Sequence, residues 1–329
     1  MIAYFDKQNL LSFIHSAKKA ERGRWNDCMR MLNENFTILL TFSKEDVKSF
    51  GEEEQEDVML WYTRITDGEG DNDDSIRWQI TLPQPVSLKT ISSTSQFRSV
   101  YCMPVEAALS NVLLAPGVGD ELTKLSSLFF GSYQFIRDIF TKVNKWKDLG
   151  PYISPCTDII IVDKFVFASP DMYEANIYEI IRVLSQYSRD EKLNIVFFTL
   201  SSIYDKKTKT TFTPDWDTIY QKIRKCVNGR NRPNVTFITA SDKYFEEHDR
   251  TIFTNYKLFV SGDTYNYFDS AGNKVTNGRW FHVHSLAEQE NMASASKLLN
   301  DIQSNIDDLS KLNPDLIKKD KISNFLKFS

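Results

Sequence analysis

Between residues 158 and 241 three largely apolar runs alternate with two amphipathic segments, and no other stretch narrows the possible folds of this chain so far. The runs are "DIIIVDKFVFAS" (158–169), "LNIVFFTLS" (193–201) and "NVTFITAS" (234–241). Each places apolar residues at adjacent positions and not only at every second one, which predicts strands buried on both faces. The segments between them, "DMYEANIYEIIRVLSQYSRD" and "DWDTIYQKIRKCVN", carry apolar residues at helical spacing, in the first through Tyr173, Ile177, Ile180, Ile181 and Leu184. Strands that alternate with helices imply a parallel sheet covered on both sides. "RTIFTN" and "KLFVSGD" then predict a hairpin-like pair that finishes the sheet in antiparallel fashion. A long helix with Leu298, Leu299, Ile302, Ile306 and Leu309 on one side follows, ending at Asn313-Pro314, and residues 315–329 form a mildly basic tail.

The first 150 residues predict a separate, mixed α/β domain, 1–150, ahead of a second domain, 151–329. "MIAYF" and "TILLTF" are strand-like, and helical spacing runs through Leu10, Phe13, Ile14 and Ala17. "VMLWYTRI" is helical in pattern. "SIRWQITL" alternates Ile76, Trp78, Ile80 and Leu82, which predicts a half-buried strand. Helices are expected over 104–114 and 119–147. "DGEGDNDD" (67–74) has too little apolar surface for anything but a loop.

Charge is uneven. Residues 51–74 hold ten acidic side chains against Arg64 alone, so the net −4 of the 329 residues leaves about +5 on the remainder. Cys28, Cys102, Cys156 and Cys226 are widely spaced with no CxxC pair, the pattern of reduced thiols and not of a disulfide framework or zinc site. No apolar run approaches the ~20 residues that span a bilayer. The N-terminus lacks the basic and apolar regions of a signal peptide. A cytoplasmic protein is expected.

The candidate chemistry centres on "EEHDRTIFTNY", in which His248, Arg250 and Asn255 are followed by Gly262 at the end of "LFVSG". The spacing His248-x-Arg250-x4-Asn255 resembles a degenerate His-x-Lys-x4-Asp motif of the phospholipase D-like superfamily. The preceding order of strands and helices is similar to one repeat of that fold. Within the superfamily, "HDRTIFTNYKLFVSGDTYNYFD" most resembles the single-copy, non-catalytic branch found at the C-termini of MIT-domain proteins, over about residues 152–310. The resemblance implies a mixed sheet flanked by helices. It assigns His248 as nucleophile or acid, Arg250 as phosphate clamp and Asn255 as a weakened orienting group. Three readings follow. One is a non-catalytic module recognising a phosphorylated ligand, nucleic acid or an anionic surface, or a protein partner. The second is a phosphodiesterase or nuclease whose single motif would need a homodimer. The third is a structural turn in an interaction subunit. Asp263, after Gly262, would repel a phosphate.

Other groups invite weaker readings. Lys206, Lys207, Lys209, Lys222, Arg224, Lys225, Arg230 and Arg232 form a basic run suited to a polyanion, or simply a solvated face. His282 and His284 share one face of a strand, without a recognisable third ligand, and would approach His248 if the sheet joined the two segments; no metal site is assigned. "LAPGVGDEL" has Gly117 and Gly119 but no clear preceding strand and no Lys-Ser/Thr, so a nucleotide loop is not expected. Asp6, Asp67, Glu69, Asp71 and Asp73 show no ordered calcium-loop pattern. No cofactor is implied.

Overall fold

Ala3, Tyr4 and Phe5 are buried, and Ile2–Phe5 form the central strand, β1, of a five-stranded sheet in the computed structural model. The structure describes residues 1–19, 32, 34–66, 75–82, 87, 99–104, 113–114, 119, 121, 125, 128, 145–186, 188, 192–205, 209–227, 231–245, 250–275 and 281–328. The chain divides into two units: Met1–Phe129 with Leu286–Met292, and Phe130–Ser285 with Ala293–Ser329. Both combine helices and sheet, an α/β architecture.

In the first unit β1 leads into helix α1 (Lys7–Lys19), which buries Leu10, Phe13, Ile14 and Ala17 as its spacing requires. Strand β2 (Thr37–Leu40), helix α2 (Glu52–Ile65), and strands β3 (Ile76–Arg77), β4 (Ser99–Cys102) and β5 (Leu113–Leu114) follow. The sheet order is β3-β2-β1-β4-β5, and every pair is parallel. Such an order is doubly wound, with a reversal between β1 and β4. The expected strand 75–82 shrinks to two residues because Gln79 takes φ 56°, which breaks the pleat. Trp78 instead meets Phe42 and Tyr62, while Ile80 and Leu82 pack on stacked Tyr4 and Tyr101. Leu113–Leu114, expected within a helix, pair with β4 as a strand.

The second unit is built on β6 (Asp158–Asp163), α3 (Ile177–Leu184), β7 (Asn194–Leu200), a hairpin of β8 (Ile203–Asp205) and β9 (Thr210–Phe212), α4 (Trp216–Cys226) and β10 (Asn234–Ala240). Strands β11 (Arg250–Phe253), β12 (Lys257–Ser261) and β13 (Phe281–Ser285), helix α5 (Gln289–Leu312) from Ala293 onward, and strand β14 (Ile317–Lys319) complete it. The sheet order is β13-β12-β11-β6-β7-β10-β14. β6, β7 and β10 are parallel, while β11–β13 and β14 run antiparallel to their neighbours. Alternate residues such as Ile159, Ile161, Ile195, Phe197 and Phe237 pack against α3 and α4. α5 lies against the other face, beside Val162 and Phe198.

Strand β6 stops at Asp163, short of the expected Ser169, because the Asp163 carboxylate accepts the Phe165 N–H and turns the chain. Trp146 stacks on Tyr267 and meets Phe268 edge-on within the second core, so the segment before residue 150 belongs with the second unit. The basic tail is a strap. Ile317–Lys319 pair with β10, the Asp320 carboxylate accepts the Val235 N–H, and Ser323 and Asn324 bond to buried Asp158. No helix among the described residues is long and apolar enough to cross a membrane.

Candidate functional site

The register of β11 against β6 places Arg250 opposite Asp163, at the carboxyl end of β6. Both share the side-chain parity of Ile161 and Ile252, so both face the α3–α4 side. Asp163 is fully buried and spoken for. It accepts from the Phe165 N–H (2.9 Å), the Thr264 hydroxyl (2.7 Å) and the Tyr265 N–H (2.9 Å). Burial pushes its pKa up, outweighing the opposing hydrogen bonds and the Arg250 charge. Arg250 donates from Nη1 to the Gly262 carbonyl at 3.2 Å. Its buried Nε has no partner among the described residues, and no ion pair to Asp163 forms. Asp263 turns back to accept the Thr264 N–H at 3.0 Å. The corner therefore holds a half-buried guanidinium beside a carboxylate whose acceptor sites are already engaged.

Arg250 and Gly262 are thus brought together. Asn255 is not. Its Oδ1 accepts from the Thr157 N–H (2.8 Å) and Asp158 N–H (3.3 Å), and its Nδ2 donates to the Thr157 hydroxyl. That is the amino end of β6, about 17 Å from Arg250 at the rise of an extended strand. There Asn255 fixes backbone and cannot orient a group beside Arg250. His248 lies outside the described residues. His282 and His284 stack on one face of β13 with ring centroids 5.9 Å apart. His282 pairs through Val260 to Thr251, so the two imidazoles occupy the face opposite Arg250. Burial lowers both their pKa values, and for His284 the neighbouring His282 adds to the effect.

The basic run separates as well. Lys209 is exposed in the β8–β9 turn, on the connection leaving the carboxyl edge of the sheet. Lys222 and Lys225 are exposed on the last turns of α4, which runs back to the amino edge, where Arg232 precedes β10. Arg224 is half-buried against Tyr220, with Nη1 donating to the Tyr220 hydroxyl. Lys206, Lys207 and Arg230 lie outside the described residues. No cluster of three or more His, Cys, Asp or Glu side chains among the described residues is placed to hold a metal.

In the first unit the crevice at the β1/β4 reversal is filled from within. Asp6 caps α1 by accepting the Asn9 N–H (2.8 Å). The buried Glu121 carboxylate accepts from Asn9 Nδ2 (2.7 Å), the Ser12 hydroxyl (3.1 Å) and the Gly119 N–H (3.0 Å). Gly119 sits at φ 107°, a conformation that favours glycine. "LAPGVGDEL" does follow a strand, β5, but it sends a carboxylate to the start of α1, where a phosphate would otherwise meet a helix N-terminus. Burial, then Glu121 and Asp6, push the Cys102 thiol well up; burial carries Cys156 to about 12 and Cys226 to about 11. In the folded protein at pH 8 these three thiols will react with iodoacetamide at least about 100-fold more slowly than in denaturant, read by mass spectrometry of each cysteine peptide.

Sequence reasoning passed over Asp158 and Asp163, which bracket the apolar "IIIV". Two carboxylates at the ends of a strand buried on both faces were the available signal, because a buried carboxylate demands partners. Comparison of the chain with protein-family models, curated proteins and solved structures finds no match.

Proposed function

We propose that the second unit is a phospholipase D-like recognition module that binds a phosphate-bearing ligand at Arg250 without turning it over. One observation carries this reading: a half-buried guanidinium whose Nε has no partner among the described residues, held by a carbonyl and not ion-paired with Asp163. A buried donor without a partner costs free energy, and a phosphate oxygen is the acceptor best matched to a guanidinium fork. The position supports it too, since ligands of open α/β sheets gather at the carboxyl ends of the strands. The absence of turnover rests on Asn255, engaged at the other end of β6 and uncharged, and on the motif occurring once. The ligand class is single-stranded nucleic acid or an anionic lipid surface, with a protein partner as the competing occupant.

Arg250→Ala will weaken binding of a labelled single-stranded oligonucleotide, or of phosphoinositide vesicles, by about tenfold at low salt, with an unchanged melting curve. The deficit will shrink as salt rises. Equal binding by wild type and Arg250→Ala would remove Arg250 from the site. Hydrolysis of a phosphodiester by wild type that vanishes in His248→Ala would replace this reading with the homodimeric nuclease.

A further inference from the structure

On the face of the second sheet opposite Arg250, a groove of about 440 Å³ opens at the carboxyl ends of β6 and β7, under α5. Its floor is apolar: Val162 and Phe198, with Phe245 stacked on Phe198 at 4.7 Å between centroids. Along α5, Ser294, Lys297, Asp301 and Asn305 follow one another at helical spacing and line the groove, alongside the buried stripe of Ala295, Leu299, Ile302 and Ile306. Lys243 faces them from the segment after β10.

These polar groups are not engaged with each other. Lys297 and Asp301 stand one turn apart without an ion pair, and neither Lys243 nor Lys297 has a carboxylate partner among the described residues. Asp242, next to Lys243, pairs with Lys164 instead. The Lys243 ammonium sits 5.0 Å from the centre of the Tyr244 ring. Thr251, beside Val162 in register and on the same face, has a buried hydroxyl with no partner among the described residues. An aromatic wall, two cations without a carboxylate partner among the described residues and a carboxylate with an amide beside it suit a ligand that is flat and apolar in one part, anionic in another, and edged with N–H donors. The volume lies within the range of small-molecule sites.

We propose that this groove binds a nucleoside phosphate, either free or as the terminal unit of a single strand. The base lies against Phe245 and Tyr244, since base–aromatic stacking tolerates any base. The phosphate meets Lys243 and Lys297, and Asp301 and Asn305 read the base edge. None of these groups is Arg250, so the inference stands or falls separately from the phosphate site on the other face.

The test is calorimetric titration of the full chain with AMP, GMP, inorganic phosphate and a single-stranded hexanucleotide, repeated on Lys297→Glu, Asp301→Ala and Arg250→Ala. Lys297 is exposed on a helix surface, so its exchange for Glu leaves the fold intact, which a melting curve verifies. A nucleotide will bind more tightly than inorganic phosphate, and Lys297→Glu will weaken it at least about tenfold, as loss and reversal of a phosphate contact requires. Asp301→Ala will alter the ratio of AMP to GMP affinity, and Arg250→Ala will leave that ratio and the effect of Lys297→Glu in place, although it weakens the hexanucleotide through the site on the other face. Binding of the mononucleotides marks a free ligand; binding of the hexanucleotide alone, retained in Arg250→Ala and lost in Lys297→Glu, marks a strand end. No saturable binding of any nucleotide, phosphate bound as tightly as nucleotide, or indifference to Lys297→Glu would each overturn the proposal.

Discussion

Asp158→Ala will destabilise the second unit by about 4 kcal/mol, enough to consume much of the 5–15 kcal/mol typical of a domain. Asp158 is fully buried at the first position of β6. Its carboxylate accepts from the Ser323 hydroxyl (2.7 Å), the Asn324 N–H (2.8 Å) and Asn324 Nδ2 (2.6 Å), with Asn194 Nδ2 at 3.4 Å. Removing it leaves several donors without partners in a dry site, each costing roughly 1–3 kcal/mol. Partial relaxation of the strap recovers part of that sum. The strap also seats Phe325 edge-on against Phe253 and buries Leu326, so its release exposes apolar surface. Urea melts measure the loss. A double cycle with Ser323→Ala–Asn324→Ala identifies its source, because residues sharing one network couple strongly. Additive losses would show that Asp158 acts on something other than the strap.

Asp163→Ala will cost about 3 kcal/mol and will also weaken phosphate binding, although Asp163 itself repels an anion. The stability loss follows from three donors left without their acceptor, two of them backbone N–H groups. The binding loss follows from the Thr264–Tyr265 turn, which keeps the Gly262 carbonyl in place for Arg250. Asp163→Asn separates charge from geometry. Burial raises the Asp163 pKa above its ordinary 3.8, so the folded state holds the proton more tightly than the unfolded chain. Its contribution to stability is therefore greatest at acid pH and falls as pH rises from the ordinary value through the folded one. The stability difference between wild type and Asp163→Asn will shrink or reverse over that interval, and stay flat above it. A difference that grows with rising pH would contradict the sign.

The strands β6, β7 and β10 were legible because apolar residues on both faces leave a chain no other buried, hydrogen-bonded arrangement at that length. The hairpin β11–β12 was legible from the punctuation in "RTIFTNYKLFV", where Thr254 and Asn255 interrupt two β-branched and aromatic runs. β14 was not, because Ile317-Lys318-Lys319 has a single apolar residue; it is a strand through its partner β10 and not through its own pattern. Gln79 defeated the alternation of "SIRWQITL" by a backbone angle that side-chain periodicity does not encode. For the site, Arg250 meets the Gly262 carbonyl because both lie on one hairpin, β11–β12. The motif spacing gave no warning that Asn255 lies at the far end of β6, which only register decides. The α5 groove joins residues near 162, 198, 243 and 300, and no local spacing reports such a gathering.

The clamp on Asp158 joins residues 166 positions apart. During synthesis, at roughly 5–20 residues per second, β6 leaves the ribosome some 8–30 s before the segment that satisfies its first carboxylate exists. Over that interval β6, β7 and β10 are already made, yet Asp158 lacks its strap donors and β10 lacks its outer neighbour β14. A nascent chain stalled before residue 317 will therefore present an open, apolar sheet edge, and resist protease only once residues beyond 324 have emerged. For this unit, vectorial synthesis delays closure of the fold to a late step, whatever the speed of its individual strands.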